Sequence, residues 1–333
     1  MVLQGILLAL LSGVCNGLFT TPMRMAVQWR WENIWLVFIL VSCWVMPVMM
    51  VVTLTPSFPM IVGNAPFGAV AAATTFGFVW GFGAICFGRS VDRLGVSIAN
   101  SLVIGLSSAL GSLVPLLMKG AFRVGAKELV LFAGILTFLC GVVICGKAGR
   151  LRDGTVQPAG GRSLSGYTFA VASGIISAIF NIGYTLALPI AATGVALGRS
   201  SFAATNCIWM LMLGAGAIPN LFYCAVLLRK NRTSNLFMGA AAYRPLGLSV
   251  IMGLLWGGSI FLYGAATPRL GELGPSIGWP LSLAAGLLVA NIMGVWLGEW
   301  RGVHQTARRY MRFSIVLILF AIVLCSISTR IPA

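Results

Sequence analysis

Apolar runs of about 20 residues, the length a helix needs to cross roughly 30 Å of hydrocarbon, follow one another almost without pause along this chain. They fall at 3–23, 34–54, 66–88, 96–118, 127–146, 166–190, 203–228, 245–267, 274–298 and 311–328. With 59% hydrophobic and 8% charged residues, the polar surface needed to dissolve a soluble fold of this size is missing. In lipid every backbone amide must be bonded internally, and runs this long and continuous do so as helices. The expectation is an all-α integral membrane protein with ten transmembrane helices. Met1-Val2-Leu3-Gln4 carries no positive charge ahead of the first run, so that run reads as a span and not as a signal peptide.

The spans are duplicated. Trp80-Gly81, Gly88 and Arg93-Leu94-Gly95 recur with the same internal spacing as Trp256-Gly257, Gly264 and Arg269-Leu270-Gly271. Ser12-Gly13 matches Ser173-Gly174 near the start of each half, and Cys145 and Arg150 match Cys325 and Arg330 near the end. An odd-numbered unit has its ends on opposite sides of the bilayer, so a tandem copy inserts upside down. The layout expected is two inverted five-helix repeats, 1–150 and 166–333, joined by a Pro/Gly/Ser-rich linker at 151–165. Inverted repeats are the framework of secondary transporters, with the solute held near the midplane between halves.

Loops assigned alternately to the two sides hold 16 and 6 of the Lys and Arg residues. The positive-inside rule puts the richer side, with the linker, in the cytoplasm and both termini outside. The net charge of +16 is then a topology signal, and nucleic acid is not an expected partner. Trp29, Trp31 and Trp35 around Arg30 suit an interfacial belt at the inner face. Asn231-Arg232-Thr233 is a glycosylation sequon in a loop expected to be cytoplasmic, and so silent. The eight cysteines, all within spans and none in a CxxC pair, read as small apolar packing residues.

Enzyme chemistry finds no foothold. Gly141-x4-Gly146-Lys147 lacks both the Ser or Thr of a phosphate loop and the strand before it. His304, the one histidine, has no second imidazole to share a metal. No cofactor or metal is expected. What remains are uncharged polar stripes. Ser12, Asn16 and Thr20 step by four in span 1, and Ser173, Ser177, Asn181 and Thr185 in span 6, each set on one helix face. Span 4 adds Ser97, Asn100, Ser101, Ser108 and Ser112; span 9 adds Ser276 and Asn291, with Trp279-Pro280 between them. Such groups either join helices or line a path, and Asn16 and Asn181 are balanced between the two. The repeat mates Trp80 and Trp256, with Trp44, Trp209 and Trp279, also lie at depth. Flat aromatic faces together with neutral amides and hydroxyls suit a ligand with apolar C–H faces and several hydroxyls, a sugar. The solute-binding set expected is Asn16, Thr20, Trp80, Asn100, Ser101, Asn181, Tyr184, Trp256, Ser276 and Trp279.

Only six carboxylates exist, and none sits at the centre of a span. Glu32 and Glu299, at span ends, are the candidates for carrying a proton, able to meet water in one state and the closed pathway in another.

Several segments carry a family resemblance: Trp29-x-Trp31-Glu32-Asn33-Ile34-Trp35, Phe76 through Gly83 leading to Arg93-Leu94-Gly95, Lys147-Ala148-Gly149-Arg150-Leu151, Gly174-x-x-Ser177 and Ser276-x-x-Trp279. Together, in order over essentially the whole chain, they resemble the bacterial L-rhamnose–proton symporter family of the drug/metabolite transporter superfamily. The resemblance implies a ten-helix bundle with helices 1–4 and 6–9 around the site and 5 and 10 outside. It also implies uptake of L-rhamnose or a similar neutral sugar with a proton, through a multi-pass protein of the bacterial inner membrane in contact with lipid. An exporter or exchanger of another metabolite, and an intramembrane enzyme on lipid-linked sugars, are the competing readings. The absence of paired acid and base groups at one depth speaks against the enzyme.

Overall fold

The computed structural model describes residues 2–94, 96–118, 125–156, 164–296, 298, 300–329 and 331. Among them are helices and turns but no strand. In chain order the helices are α1 (Val2–Leu18), α2 (Thr20–Met25), α3 (Trp31–Ile39), α4 (Met46–Leu54), α5 (Phe58–Asn64), α6 (Phe67–Leu94) and α7 (Val96–Met118). They continue with α8 (Ala126–Val156), α9 (Leu164–Ala196), α10 (Ser201–Asn231), α11 (Tyr243–Ala266), α12 (Gly274–Trp296) and α13 (Gln305–Ser328). Nine helical stretches among the described residues are long and apolar enough to cross a membrane. The fourth expected span corresponds to α7, where the apolar stretch Leu102–Val114 is shorter.

Several helices run past their apolar segments. α8 continues through Lys147-Ala148-Gly149-Arg150-Leu151-Arg152 to Val156, so the linker expected from 151 starts as helix. Lys, Arg, Leu and Ala are good helix formers, and Gly149 disfavours the helix without breaking it as a proline would. A hydrogen bond and a ring contact hold its polar end: Lys147 Nζ donates to Tyr310 Oη at 2.9 Å, and the Arg152 guanidinium lies 5.4 Å from the centre of the Trp300 ring. α10 is fixed at both ends. Ser200 Oγ accepts from the Ala203 amide at 3.2 Å, and Arg232 turns left-handed at φ 53° to end the helix.

Span 2 is not a simple α-helix. Between α3 and α4, Leu40–Val45 forms a π-helical run, a geometry usually confined to single turns. Ser42 Oγ donates back to Phe38 O at 2.7 Å within it.

The chain forms two compact units, Met1–Gly13 with Gly83–Ile182 and Ala266–Ala333, and Val14–Phe82 with Gly183–Ala265. Each takes segments from both halves of the sequence. In the first unit α13 packs along α8, and Phe138, Val142, Ala148, Ala307, Met311 and Ile318 are buried together. In the second, α10 packs along α3, the π-run and α4.

Candidate functional site

In the second unit, aromatic residues recurring along α3 start a ladder. Trp31 and Trp35, four apart, stack at 5.0 Å; Trp35 meets Phe38 at 4.7 Å; Phe38 stands edge-on to Trp256 at 5.7 Å. Trp256 in turn stacks on Trp80 with centroids 5.2 Å apart and planes 14° from parallel. The repeat mates singled out in the sequence therefore meet face to face. Both are half-buried, so each keeps a partly open face. Glycine makes room for Trp80 on α10, where a Cβ on Gly216 would lie 2.7 Å from its ring; a Cβ on Gly77 would lie 2.3 Å from Met212 O, so α6 and α10 meet backbone to backbone.

The indole of Trp35 donates to Asn220 Oδ1 at 3.1 Å, and Asn220 Nδ2 donates to Gly81 O at 2.9 Å and Gly216 O at 3.1 Å. This amide, absent from the expected set, ties α3, α6 and α10 together. Trp29 donates to Leu236 O at 3.0 Å and, like Trp35, is buried. These two residues are packed inside protein and do not form the interfacial belt expected of them. Trp44, within the span Trp31–Leu54 and part of the π-run, is 47% exposed.

Glu32, in the first turn of α3, is buried. Its Oε1 accepts from Asn231 Nδ2 and from Thr233 Oγ1, both at 2.9 Å, and the neighbouring Asn33 Nδ2 donates to Thr233 O at 2.9 Å. The sequon residues are thus ligands of a carboxylate. Glu299 lies outside the described residues. A second aromatic group surrounds Tyr184, whose ring lies on Trp209 at 4.4 Å and 3°, with Tyr263 5.5 Å away. Asn16 and Thr20 are half-buried; the four-residue step between them crosses a turn at Phe19, where α1 gives way to α2.

In the first unit the polar residues answer mostly to backbone. Asn181 is fully buried, and its Nδ2 donates to Gly111 O at 2.6 Å and to Pro275 O at 3.3 Å. Pro115 has no N–H, so the carbonyl four residues earlier in α7, that of Gly111, lacks its helical donor. The Asn181 amide supplies one. Trp279 Nε1 donates to Ser107 O at 3.1 Å, and Ser12 and Ser282 share a 2.8 Å bond. Ser276 is buried. The side chains of Asn100 and Ser101 lie outside what is described. Ser107, Ser108 and Ser112 bury hydroxyls without a bonded partner. Both donations of Asn181 favour the helix-joining role that its spacing left open. No group of three or more metal-ligating side chains occurs among the described residues.

A protein-family model described as L-rhamnose-proton symport protein (RhaT) matches residues 1–329. A protein of Yersinia pestis (strain Pestoides F) named L-rhamnose-proton symporter is 27% identical over 312 residues, covering 90% of each chain. Another of that name from Escherichia coli O1:K1 / APEC is 27% identical over 332 residues, covering 96% of each. A solved crystal structure, 11% identical, covers 98% of this chain and 97% of its own at a TM-score of 0.59, a likeness of fold alone.

Proposed function

The chain belongs to the L-rhamnose-proton symport protein family, and from that premise we propose that it takes up L-rhamnose, or a close neutral sugar, together with protons across the bacterial inner membrane. The observation carrying this is the family match over residues 1–329; the relatives named as symporters span the chain from end to end. The chemistry of the second unit agrees with it. Trp80, Trp256 and Tyr184 offer ring faces to sugar C–H groups, while Asn16 and Thr20 offer uncharged donors and acceptors. A transporter, not an enzyme, is what such a family and such a polar complement describe.

The finer architecture belongs to the same reading. Ten spans in two inverted five-helix repeats are supported by nine membrane-length helices among the described residues with α7 as the tenth, and by the stacking of repeat mates Trp80 and Trp256. Alternating access then proceeds by rocking one half against the other. For the proton, Glu32 is the candidate among the described carboxylates, since its acceptor atoms bind a loop nearly 200 residues away in sequence and a change of protonation would alter that attachment.

The test is uptake of radiolabelled L-rhamnose into proteoliposomes, with and without an inward proton gradient. Accumulation that requires the gradient is the expected result. Counterflow insensitive to the gradient would reduce the protein to a facilitator, and no rhamnose flux in either mode would refute the substrate.

A further inference from the structure

Asn206 lies in the second turn of α10, fully buried, and neither its Nδ2 nor its Oδ1 has a hydrogen-bond partner. Two polar neighbours on the same turns are bonded locally: Ser200 caps the helix and Thr205 Oγ1 donates back to Phe202 O at 2.9 Å. Every residue from Ala203 to Trp209 is buried, so bulk water does not solvate the amide. An unmet buried polar group costs about 1–3 kcal/mol, and folded proteins pair nearly all of theirs. An apolar side chain of the same size would serve the fold better. The amide is therefore placed for something the protein holds only part of the time.

What that is follows from the surroundings. Trp209, three residues on, shares the helix face of Asn206. Its ring carries Tyr184 at 4.4 Å and has Tyr263 at 6.1 Å. The far edge of the indole is accommodated by Gly264, where a Cβ would fall 2.2 Å from Nε1. Apart from Cys207, no ionisable residue occurs in α10 before Tyr223. An uncharged amide one helical turn from Trp209, whose ring meets Tyr184 and Tyr263, suits a neutral molecule with vicinal hydroxyls and C–H faces, because a single Asn both donates to one hydroxyl oxygen and accepts from the next.

We propose that Asn206, backed by Tyr184, Trp209 and Tyr263, is the residue that reads a hydroxyl of the transported sugar. This rests on the reading of the chain as a neutral-sugar transporter, and it adds a determinant of specificity. Because the amide has no hydrogen-bond partner within the protein, its role separates cleanly from a structural one. Removing it costs affinity and leaves the fold as stable as before, or more so.

The experiment uses the full-length protein in nanodiscs. Binding of L-rhamnose, its mono-deoxy derivatives and a panel of other neutral hexoses and deoxyhexoses is titrated for the unaltered protein and for Asn206→Leu, alongside thermal melting without sugar. The expected result for Asn206→Leu is a melting temperature unchanged or raised, a Kd at least tenfold weaker, and loss of discrimination against one mono-deoxy derivative. Unchanged affinity and discrimination would overturn the proposal, as would a lowered melting temperature with the discrimination profile intact. If Asn206→Leu does not insert, Asn206→Ser gives the same reading: an intermediate Kd with altered discrimination supports, an unaltered profile refutes. Should the unaltered protein bind another sugar of the panel and not rhamnose, the substrate proposed above fails while Asn206 is judged on that sugar. Binding of none of them defeats both.

Discussion

Asn181 and Asn206 are both fully buried amides in membrane-length helices, one in each compact unit, and their surroundings could hardly differ more. Asn181 gives its amide to Gly111 O and Pro275 O; Asn206 gives its amide to nothing. The same side chain at comparable burial is thus bonded across helices in one place and unbonded in the other. A polar residue inside a membrane protein marks function only when its bonds have been traced. Asn181 has the more persuasive sequence pattern, yet it is Asn206 whose amide is unbonded.

Four substitutions test that contrast. The largest effect is expected at Asn220→Leu, which orphans the Trp35 indole N–H and removes the donor to Gly81 O; about 2–4 kcal/mol of stability should be lost. Asn220 lies in the same unit as Asn206, so a destabilised Asn220→Leu beside a stable Asn206→Leu would show that bonding, and not the choice of unit, makes the difference. Next is Asn181→Leu. With Gly111 O left without a donor, about 1–3 kcal/mol should go, seen as a lower melting temperature with sugar affinity retained in the folded fraction. A stable Asn181→Leu protein that no longer binds sugar would reverse the contrast.

Glu32→Gln is expected to cost about 1 kcal/mol, the difference between charged and neutral hydrogen bonds, because Oε1 can still accept from Asn231 and Thr233. Its informative readout is transport: gradient-driven accumulation should disappear while counterflow persists. Accumulation equal to that of the unaltered protein would remove Glu32 from coupling. Smallest of all, Trp44→Leu should change stability by no more than about 0.5 kcal/mol, as exposed positions usually do. A larger loss in nanodisc melting would mean that Trp44 is covered after all.

The fold class could be read from the chain because lipid leaves so few options, and Trp80 and Trp256 could be paired because the duplication repeats them. Asn181 was found through its four-residue stripe. Asn206 was missed for the same reason: Phe202 and Met210, four residues to either side, are apolar, so no stripe exists. The available signal was an isolated amide three residues before a deep Trp. Pro115 announces an unbonded carbonyl at Gly111, but nothing local says that a side chain 70 residues away answers it. Likewise Glu32 and its partners Asn231 and Thr233 are brought together only by tertiary packing. Bonding state depends on neighbours remote in sequence, which spacing along one helix does not contain.

The π-run at Leu40–Val45 gives span 2 a property that a uniform helix lacks, that of an adjustable phase. Its hydrogen bonds reach one residue further than those of an α-helix, so the run contains one residue of slack. Trading those bonds for the shorter α pattern would rotate Trp31–Ile39 against Met46–Leu54 by about 100°, the turn that one residue contributes. The aromatic ladder on α3 would turn with it as a rigid piece and shift along the span by about 1.5 Å, the rise of one residue.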